Sequence, residues 1–346
     1  GEALPTEVAT LAAGFECVRV AALPNQAAKM VCLPDGRVLV TELLTGSIRV
    51  IDAAGNLLPV PFATVAVLGG GHLGLLGVAA SPAFATDGYV FAYACTPGGA
   101  GKPDRGRVLR WRAVGDIGTD LTVLLDDLPL GAINNGGALC FDATGMLLVT
   151  VGDTEDPMLA QSDVSFAGKV LRLRPDDGGV PADNPDPASL VFAKGLRNTF
   201  AITLHPTVAS LFLADNGPTN DDELDLLQAG RNYEWGGGGA SFGAATGAVL
   251  RTWHDVVVPT GLAFQDPASG WPGEFAESLY LTFYDGQLVE RFEMSGALRT
   301  DIDREAEFLR FATNGTANLP VDLQRGPGGS LWVLTFTGLF RVDAID

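Results

Sequence analysis

The chain has 346 residues, and its 22 Lys and Arg against 41 Asp and Glu give a formal net charge of −19 at pH 7. Nucleic acids and anionic membranes are bound through clustered basic side chains, so this balance argues against both and favours neutral or cationic partners. A hydrophobic content of 47% supports a large buried core, and without an apolar run of about 18 residues we expect a soluble chain with no membrane insertion.

A turn containing Gly or Asp, followed by an apolar strand, recurs along the chain. Its six copies cover residues 33–42, 84–96, 142–153, 206–217, 275–286 and 326–338. Second strands follow at 47–52, 107–112, 169–174, 223–228, 287–292 and 338–343. Apolar and polar residues alternate in them, which predicts strands with one buried face. Two separate β-sandwiches are disfavoured because nothing in the middle of the chain resembles a linker.

Repeated strand units at this spacing predict an all-β, six-bladed β-propeller that forms a single domain over residues 1–346. The apolar segment 15–23 has no Asp-Gly turn of its own. We expect it to join the C-terminal blade as a strand and close the ring, which removes exposed sheet edges.

The four cysteines, Cys17, Cys32, Cys95 and Cys140, lie in apolar runs and lack the spacing of zinc or redox sites. Buried free thiols are therefore expected. One disulfide is the alternative, and it would indicate an oxidising compartment.

Seven segments, in order, resemble the soluble aldose (glucose/sorbosone) dehydrogenases that depend on pyrroloquinoline quinone (PQQ). They are LPDGRVLVTE with SIRVID (33–52), GLLGVAASPAFATDGYVF (74–91), LRPDDGGVPADNP (173–185), GLRN (195–198), NGPTNDDELDLLQAGRNYEWG (216–236), PTGLAF (259–264) and GPGGSLWVL (326–334). The resemblance implies a six-bladed propeller with PQQ over the central axis, a histidine as general base on the sugar C1 hydroxyl, hydride transfer to the quinone, and calcium held by carbonyls of a Gly-Pro pair. It also implies a periplasmic or extracellular location.

Several positions match the family's sites. By resemblance, the carbonyls of Gly217 and Pro218 face the calcium at the cofactor, Glu223 and Tyr233 belong to a structural calcium site, and Arg197 and Asn198 contact the cofactor. Asp222 adds a carboxylate to the same oxygen-rich segment, 216–223, which suits a hard cation. The alternatives are a plain turn rich in Asp and Asn, and a hydrogen bond between blades for the Arg-Asn pair.

Other positions depart from the family. Asn134 stands in place of the catalytic histidine, and an amide cannot accept a proton near neutral pH. Ala138 replaces an arginine, Asp285 replaces a lysine, and Leu319-Pro320-Val321 replaces a segment with two arginines. Because PQQ carries three carboxylates that need cationic partners when buried, these changes predict a degenerate cofactor site.

Two histidines fall at positions near the family's cofactor. His72 and His254 are both expected to point towards the central pocket, either as a relocated base or as two ligands of a metal. The alternative is that each is a hydrogen-bonded loop residue. His205, in a turn that opens a strand, is expected at the surface.

Three functions follow from these observations. The favoured one is a remodelled propeller with calcium as its cofactor that binds a small polar or sugar-like ligand and lacks standard PQQ oxidation. The alternative is an active PQQ- and calcium-dependent aldose dehydrogenase whose base has moved to His72 or His254. A third is a metal-dependent hydrolase or lyase that uses the two histidines. The sequence does not identify a protein partner.

Overall fold

Six antiparallel sheets follow one another along the chain in a computed structural model that describes residues 3–236 and 248–345. Two strands precede the first complete sheet, β1 (Val8–Leu11) and β2 (Phe15–Ala22). Each sheet is one blade, and the predicted six-bladed β-propeller is confirmed.

The blades have these strands. Blade 1 contains β3 (Ala27–Cys32), β4 (Val38–Glu42), β5 (Ser47–Ile51) and β6 (Ala63–Thr64). Blade 2 contains β7 (Leu75–Ala80), β8 (Tyr89–Thr96), β9 (Arg105–Val114) and β10 (Ile117–Leu128). Blade 3 contains β11 (Leu139–Phe141), β12 (Leu147–Val151), β13 (Lys169–Leu173) and β14 (Val191–Lys194). Blade 4 contains β15 (Thr199–Leu204), β16 (Leu211–Asp215), β17 (Asp222–Leu227) and β18 (Val249–Trp253). Blade 5 contains β19 (Pro259–Phe264), β20 (Leu279–Phe283), β21 (Leu288–Ser295) and β22 (Asp301–Phe311), and blade 6 contains β23 (Pro320–Arg325), β24 (Leu331–Thr335) and β25 (Gly338–Ala344).

The first strand of each blade lies on the inside of the ring. Strand β3 contacts β7, and contacts then run through β11, β15, β19 and β23 and return from β23 to β3. Among the described residues, helical structure is limited to short turns, with α1 at Phe84–Asp87 and 3₁₀ turns at Pro157–Gln161, Pro267–Ser269 and Pro327–Gly329. None of the helices in the described part of the chain is long and apolar enough to span a bilayer.

The ring closes through the N-terminal strand, as predicted. Strand β2 pairs antiparallel with β25, with Cys17 opposite Val342, and so becomes the fourth strand of blade 6. Strand β1 was not predicted, and it adds a fifth strand to blade 5 by pairing with β22. Its four residues bury one side chain fully, Val8, so it is too short to show an alternating pattern.

Apolar side chains pack between neighbouring blades. Between blades 4 and 5, for example, Phe212, Phe264, Trp253 and Phe292 belong to one buried cluster. All four cysteines are free, as expected; Cys17 and Cys95 are buried, whereas Cys32 and Cys140 are half-buried. Burial is the main cause that raises the pKa of the Cys95 thiol to about 11, as expected for an inert packed thiol.

His205 is buried, so the expected surface position is wrong. Its side chain packs against Phe264 with ring centroids 4.4 Å apart. Its Nδ1 accepts hydrogen bonds from the backbone N–H groups of Thr207 and Val208, both at 3.2 Å. The imidazole thus supplies the acceptor that these turn N–H groups need once they are shielded from water.

Candidate functional site

A cavity of about 510 Å³ lies at one end of the propeller axis, because all six blades contribute to its wall. Most of the lining residues come from the segment before the first strand of a blade or from the turn between its second and third strands. A concave site of this size, at the mouth of a ring of sheets, is typical of small-ligand binding.

Most of the predicted site residues, though not His254, converge on this cavity. They come from blades 2 to 4. The lining includes His72, Asn134, Arg197, Asn198, Gly217, Pro218 and Asp222. The structure therefore brings together residues that are far apart in the sequence. His72 and Asp222, for example, are separated by 150 positions.

Asn134 is held in place by a carboxylate. Its side-chain Nδ2 donates to Oδ1 of Asp153 at 3.0 Å, and Oδ2 of Asp153 accepts from Nε1 of Trp235 at 2.8 Å. Asp153 is 1% exposed. Asn134 has φ of 57°, a left-handed conformation that asparagine tolerates better than most residues. The amide orients this loop and offers no base.

His72 lines the cavity next to Asn134. Its Nδ1 accepts a long hydrogen bond of 3.5 Å from the backbone N–H of Asn134, so the proton of the neutral ring lies on Nε2. Burial, and then the charge of Arg197, lower the pKa of His72, while Glu155 acts in the opposite direction. At pH 7 the imidazole is neutral, and its one basic nitrogen, Nδ1, already accepts the N–H of Asn134.

Arg197 holds the loops of blade 4 together, and Asn198 joins blade 4 to blade 3. The guanidinium Nη1 of Arg197 donates to the carbonyls of Asn216 and Gly217 at 2.8 and 2.7 Å. Asn198 Oδ1 accepts from the backbone N–H of Gly136 in blade 3 at 3.2 Å. Asp215 accepts from the backbone N–H groups of both Arg197 and Asn198, and burial raises its pKa to about 6.

The predicted metal positions divide into two groups. Gly217, Pro218 and Asp222 line the cavity. Glu223 is buried on β17 and lies outside the lining, and burial followed by repulsion from Asp215 raises its pKa to about 8. The hydroxyl of Tyr233 donates to the carbonyl of Leu226 in the core.

Asp222 accepts three backbone hydrogen bonds. Its Oδ1 accepts from the N–H of Gly217 at 2.7 Å, and its Oδ2 accepts from those of Val257 and Val258 at 2.9 and 2.8 Å. The carboxylate thus fixes the loop before β17 against the segment before β19. The structure gives Asp222 a structural role that its position in an acidic run did not reveal.

The loop offers oxygen donors of the kind calcium prefers. Gly217 and Pro218 line the cavity and carry backbone carbonyls, and the buried Oδ1 of Asn216 has no hydrogen-bond partner among the described residues. Arg197 occupies the Gly217 carbonyl, however. In residues 3–236 and 248–345, no three His, Cys, Asp or Glu side chains converge to hold a metal. A cation here would therefore depend on backbone carbonyls and on displacement of the guanidinium.

His254 does not line the cavity. Its side chain is 84% exposed, and Nδ1 lies 2.6 Å from Oδ1 of Asp221. The expectation that both histidines point into the central pocket therefore holds for His72 and not for His254. The turn segment 254–256 is exposed, and only from Val256 onward does the chain reach the cavity wall.

The opposite half of the cavity is apolar, and sequence reasoning missed most of it. Blades 5 and 6 contribute Val256, Val258, Tyr284, Val321 and Phe336. Val321 falls in the segment where the family places arginines, and this substitution was the one available signal. Asp285, in the place of the family's lysine, is exposed and is not part of the lining.

Lys29 is a second cation near the axis, but it is neutralised. Its Nζ lies 3.2 Å from Oδ1 of Asp322 and also donates to the carbonyl of Thr260. The ring of Phe200 lies 5.8 Å from this ammonium group and itself lines the cavity. Among the described residues of the lining, Arg197 is the one Lys or Arg.

Comparisons with known proteins agree with this architecture. The family described as Glucose / Sorbosone dehydrogenase matches residues 25–338. An aldose sugar dehydrogenase of Escherichia coli (strain K12) is 27% identical over 327 residues, which cover 88% of this chain and 85% of the relative. A solved structure described as a putative oxidoreductase (glucose dehydrogenase) from Thermus thermophilus has a TM-score of 0.80 and 29% identity, with 95% of this chain and 100% of that one covered. Another, described as glucose dehydrogenase, has a TM-score of 0.83 and 25% identity, with 95% and 99% covered. Because the family match spans nearly the whole chain, this chain belongs to the glucose/sorbosone dehydrogenase family.

Proposed function

We propose that this protein is a remodelled member of its family that binds a small polar or sugar-like ligand in the central cavity and does not carry out standard PQQ oxidation. One observation carries the proposal: Arg197 supplies the one cationic side chain found among the described lining residues. PQQ has three carboxylates, and each buried carboxylate without a partner costs several kcal/mol. The residues present do not fit that cofactor.

The residue at the base position supports the same proposal. Asn134 is engaged with Asp153 and cannot take a proton from a sugar hydroxyl. A polar ligand would instead find hydrogen-bonding groups in blades 2 to 4, from His72, Asn198 and the carbonyls near Gly217. This half of the cavity is suited to recognition of hydroxyl groups.

Calcium belongs to the proposal as a structural ion. The carbonyls of Gly217 and Pro218 would hold it, and Arg197 would have to release the Gly217 carbonyl. A hard cation bound there would lock the loop before β17. A periplasmic or extracellular location also belongs to the proposal, on the basis of family resemblance.

An active aldose dehydrogenase is the second candidate, and His72 is the observation that favours it. This imidazole is neutral at pH 7 and lines the cavity beside Asn134, and it would act as a general base once Nδ1 releases the backbone N–H of Asn134. His254 offers no such support, because it lies outside the lining. A hydrolase that uses both histidines on one metal is disfavoured for the same reason.

Calorimetric titration of PQQ into the calcium-loaded protein, with a dye-reduction assay over a panel of aldoses, separates the two candidates. We expect no PQQ binding at tens of micromolar, a range in which a ΔG of roughly −6 kcal/mol would be detected, and no dye reduction. Binding together with dye reduction would overturn the proposal and identify a working dehydrogenase. His72→Gln would then test the relocated base.

A further inference from the structure

The cavity has one charged side and one apolar side. His72, Asn134 and Arg197 come from blades 2, 3 and 4, and Val258 and Val321 come from blades 5 and 6 across the axis. A ligand that contacts both sides needs a polar end and an apolar body. A sugar alone would leave the apolar wall facing hydroxyl groups.

Arg197 lines the cavity and has spare hydrogen-bonding capacity. Its Nη1 serves two backbone carbonyls, while no partner is found for Nε or Nη2 within the described ranges. Within the described ranges its guanidinium forms no ion pair with an Asp or Glu, and its Cζ lies 5.8 Å from the centroid of the Trp235 ring. Asp215 is its acidic neighbour, but both oxygens of Asp215 accept from backbone N–H groups.

An incompletely paired guanidinium on a partly enclosed wall favours an anion. Arginine recognises carboxylates through parallel N–H donors, and such charge-assisted bonds are about twice as strong as neutral ones. The acidic group on the described lining, Asp222, accepts hydrogen bonds from three backbone N–H groups and does not pair with Arg197. One cation can compensate one carboxylate, and this is also why the three carboxylates of PQQ do not fit.

The apolar side is suited to a ring or a short alkyl chain. Tyr284 and Phe336 form an edge-to-face pair with ring centroids 5.8 Å apart, and Val258 and Val321 line the same half. Aromatic and branched side chains of this kind bury ligand rings well.

We propose that the cavity binds a small monocarboxylate with an apolar body, whose carboxylate pairs with Arg197 and whose ring or alkyl part packs against Val258, Tyr284, Val321 and Phe336. This inference rests on the proposed function, because the ligand would occupy the space in which relatives of this fold would hold a cofactor. It specifies the ligand's charge and its shape.

Calorimetry with four probes tests this inference on the unmodified protein. Phenylacetate carries both features, phenylacetamide lacks the charge, acetate lacks the ring, and phenylmalonate carries a second carboxylate. We expect phenylacetate to bind with Kd of about 1 mM or tighter, a modest affinity for a ligand of this size. The other three should bind at least about tenfold more weakly, as loss of a charged hydrogen bond or of a buried ring implies.

Variants locate the binding site. Arg197→Gln should weaken phenylacetate binding about tenfold or more, and Arg197→Lys, which keeps the charge, should retain part of the affinity. Arg304→Gln is the matched control, because Arg304 is 62% exposed on blade 5 and is not part of the lining. It should leave the affinity within about twofold.

The outcomes separate this inference from the proposed function. Equal binding of phenylacetamide and phenylacetate, or no phenylacetate binding at about 10 mM, would overturn the monocarboxylate assignment. Either result would leave the proposal of a remodelled propeller standing if PQQ also fails to bind. Tight PQQ binding would overturn the proposed function instead. The comparison of probes on the wild-type protein remains decisive even if Arg197→Gln fails to fold.

Discussion

The side-chain amide of Asn134 donates to the carboxylate of Asp153 at 3.0 Å, in a loop on the wall of the central cavity. Asp153 also accepts from the indole of Trp235 and from the backbone N–H of Glu155. The carboxylate thus connects two loops whether or not residue 134 can act as a base. This explains how the loop keeps its shape without the family's histidine.

Asn134→His should restore an imidazole next to Asp153 without restoring PQQ binding. Histidine is among the residues that accept a φ of 57°, so unfolding free energy should change by about 1 kcal/mol or less. Urea denaturation and PQQ calorimetry measure the two effects. Asn134→Val is the matched control, and it should cost about 2 kcal/mol or more because a β-branched residue is strained at positive φ and lacks the hydrogen bond. PQQ binding by Asn134→His would show that the missing base, rather than the missing cations, disabled the site.

The fold could be predicted because its signal repeats. Six turn-and-strand units and an unpaired N-terminal segment define both the blades and the closing strand β2. Strand β1 could not be predicted, because its four residues contain one fully buried side chain and therefore show no alternating pattern.

The site could be predicted where residues match the family's motifs, as at Arg197 and Gly217, or replace them. Asn134 and Val321 were noticed as replacements, and both line the cavity. The direction of a loop side chain depends on contacts made by other blades, so sequence could not separate His72 from the exposed His254. The φ of 52° at Val258 has no sequence signal at all.

Asp222→Asn tests whether Asp222 binds calcium or caps backbone N–H groups. Its oxygens accept three backbone N–H bonds, and replacing one oxygen by an NH₂ group breaks at least one charge-assisted bond. We expect a loss of about 2 kcal/mol in unfolding free energy, equal in calcium and in a chelator. Denaturation curves under both conditions give the comparison. A loss confined to the calcium-loaded protein would instead make Asp222 a metal ligand.

The pH dependence of stability should reveal the lowered pKa of His72. Burial, together with the charge of Arg197, disfavours the imidazolium in the folded protein, so the unfolded chain binds more protons. Above the unfolded pKa of about 6.5, His72 is neutral in both states and does not lower the free energy of unfolding. As the pH falls below that value, the unfolded chain takes up a proton that the folded protein disfavours, and the free energy of unfolding decreases. His72→Gln should lose less stability than the wild type between pH 7 and pH 5. Parallel pH profiles for the two proteins would contradict this assignment.

Val257 and Val258 offer a test of backbone strain at the cavity wall. Both are half-buried, and the backbone N–H of each donates to Oδ2 of Asp222, but Val258 alone of the two has positive φ, at 52°. A β-branched residue in this conformation is strained by about 1 to 2 kcal/mol, which asparagine largely avoids.

Val258→Asn should therefore cost about 1 kcal/mol less in unfolding free energy than Val257→Asn, although both lose apolar contact. Urea denaturation of the two variants supplies the comparison, and phenylacetate calorimetry shows whether relief of strain reaches the cavity. Because Val258 faces the ligand space and Val257 does not line it, the first substitution should weaken phenylacetate binding more than the second. An equal loss of stability at both positions would mean that the contacts of Asp222, rather than the conformation of Val258, set the energy of this segment.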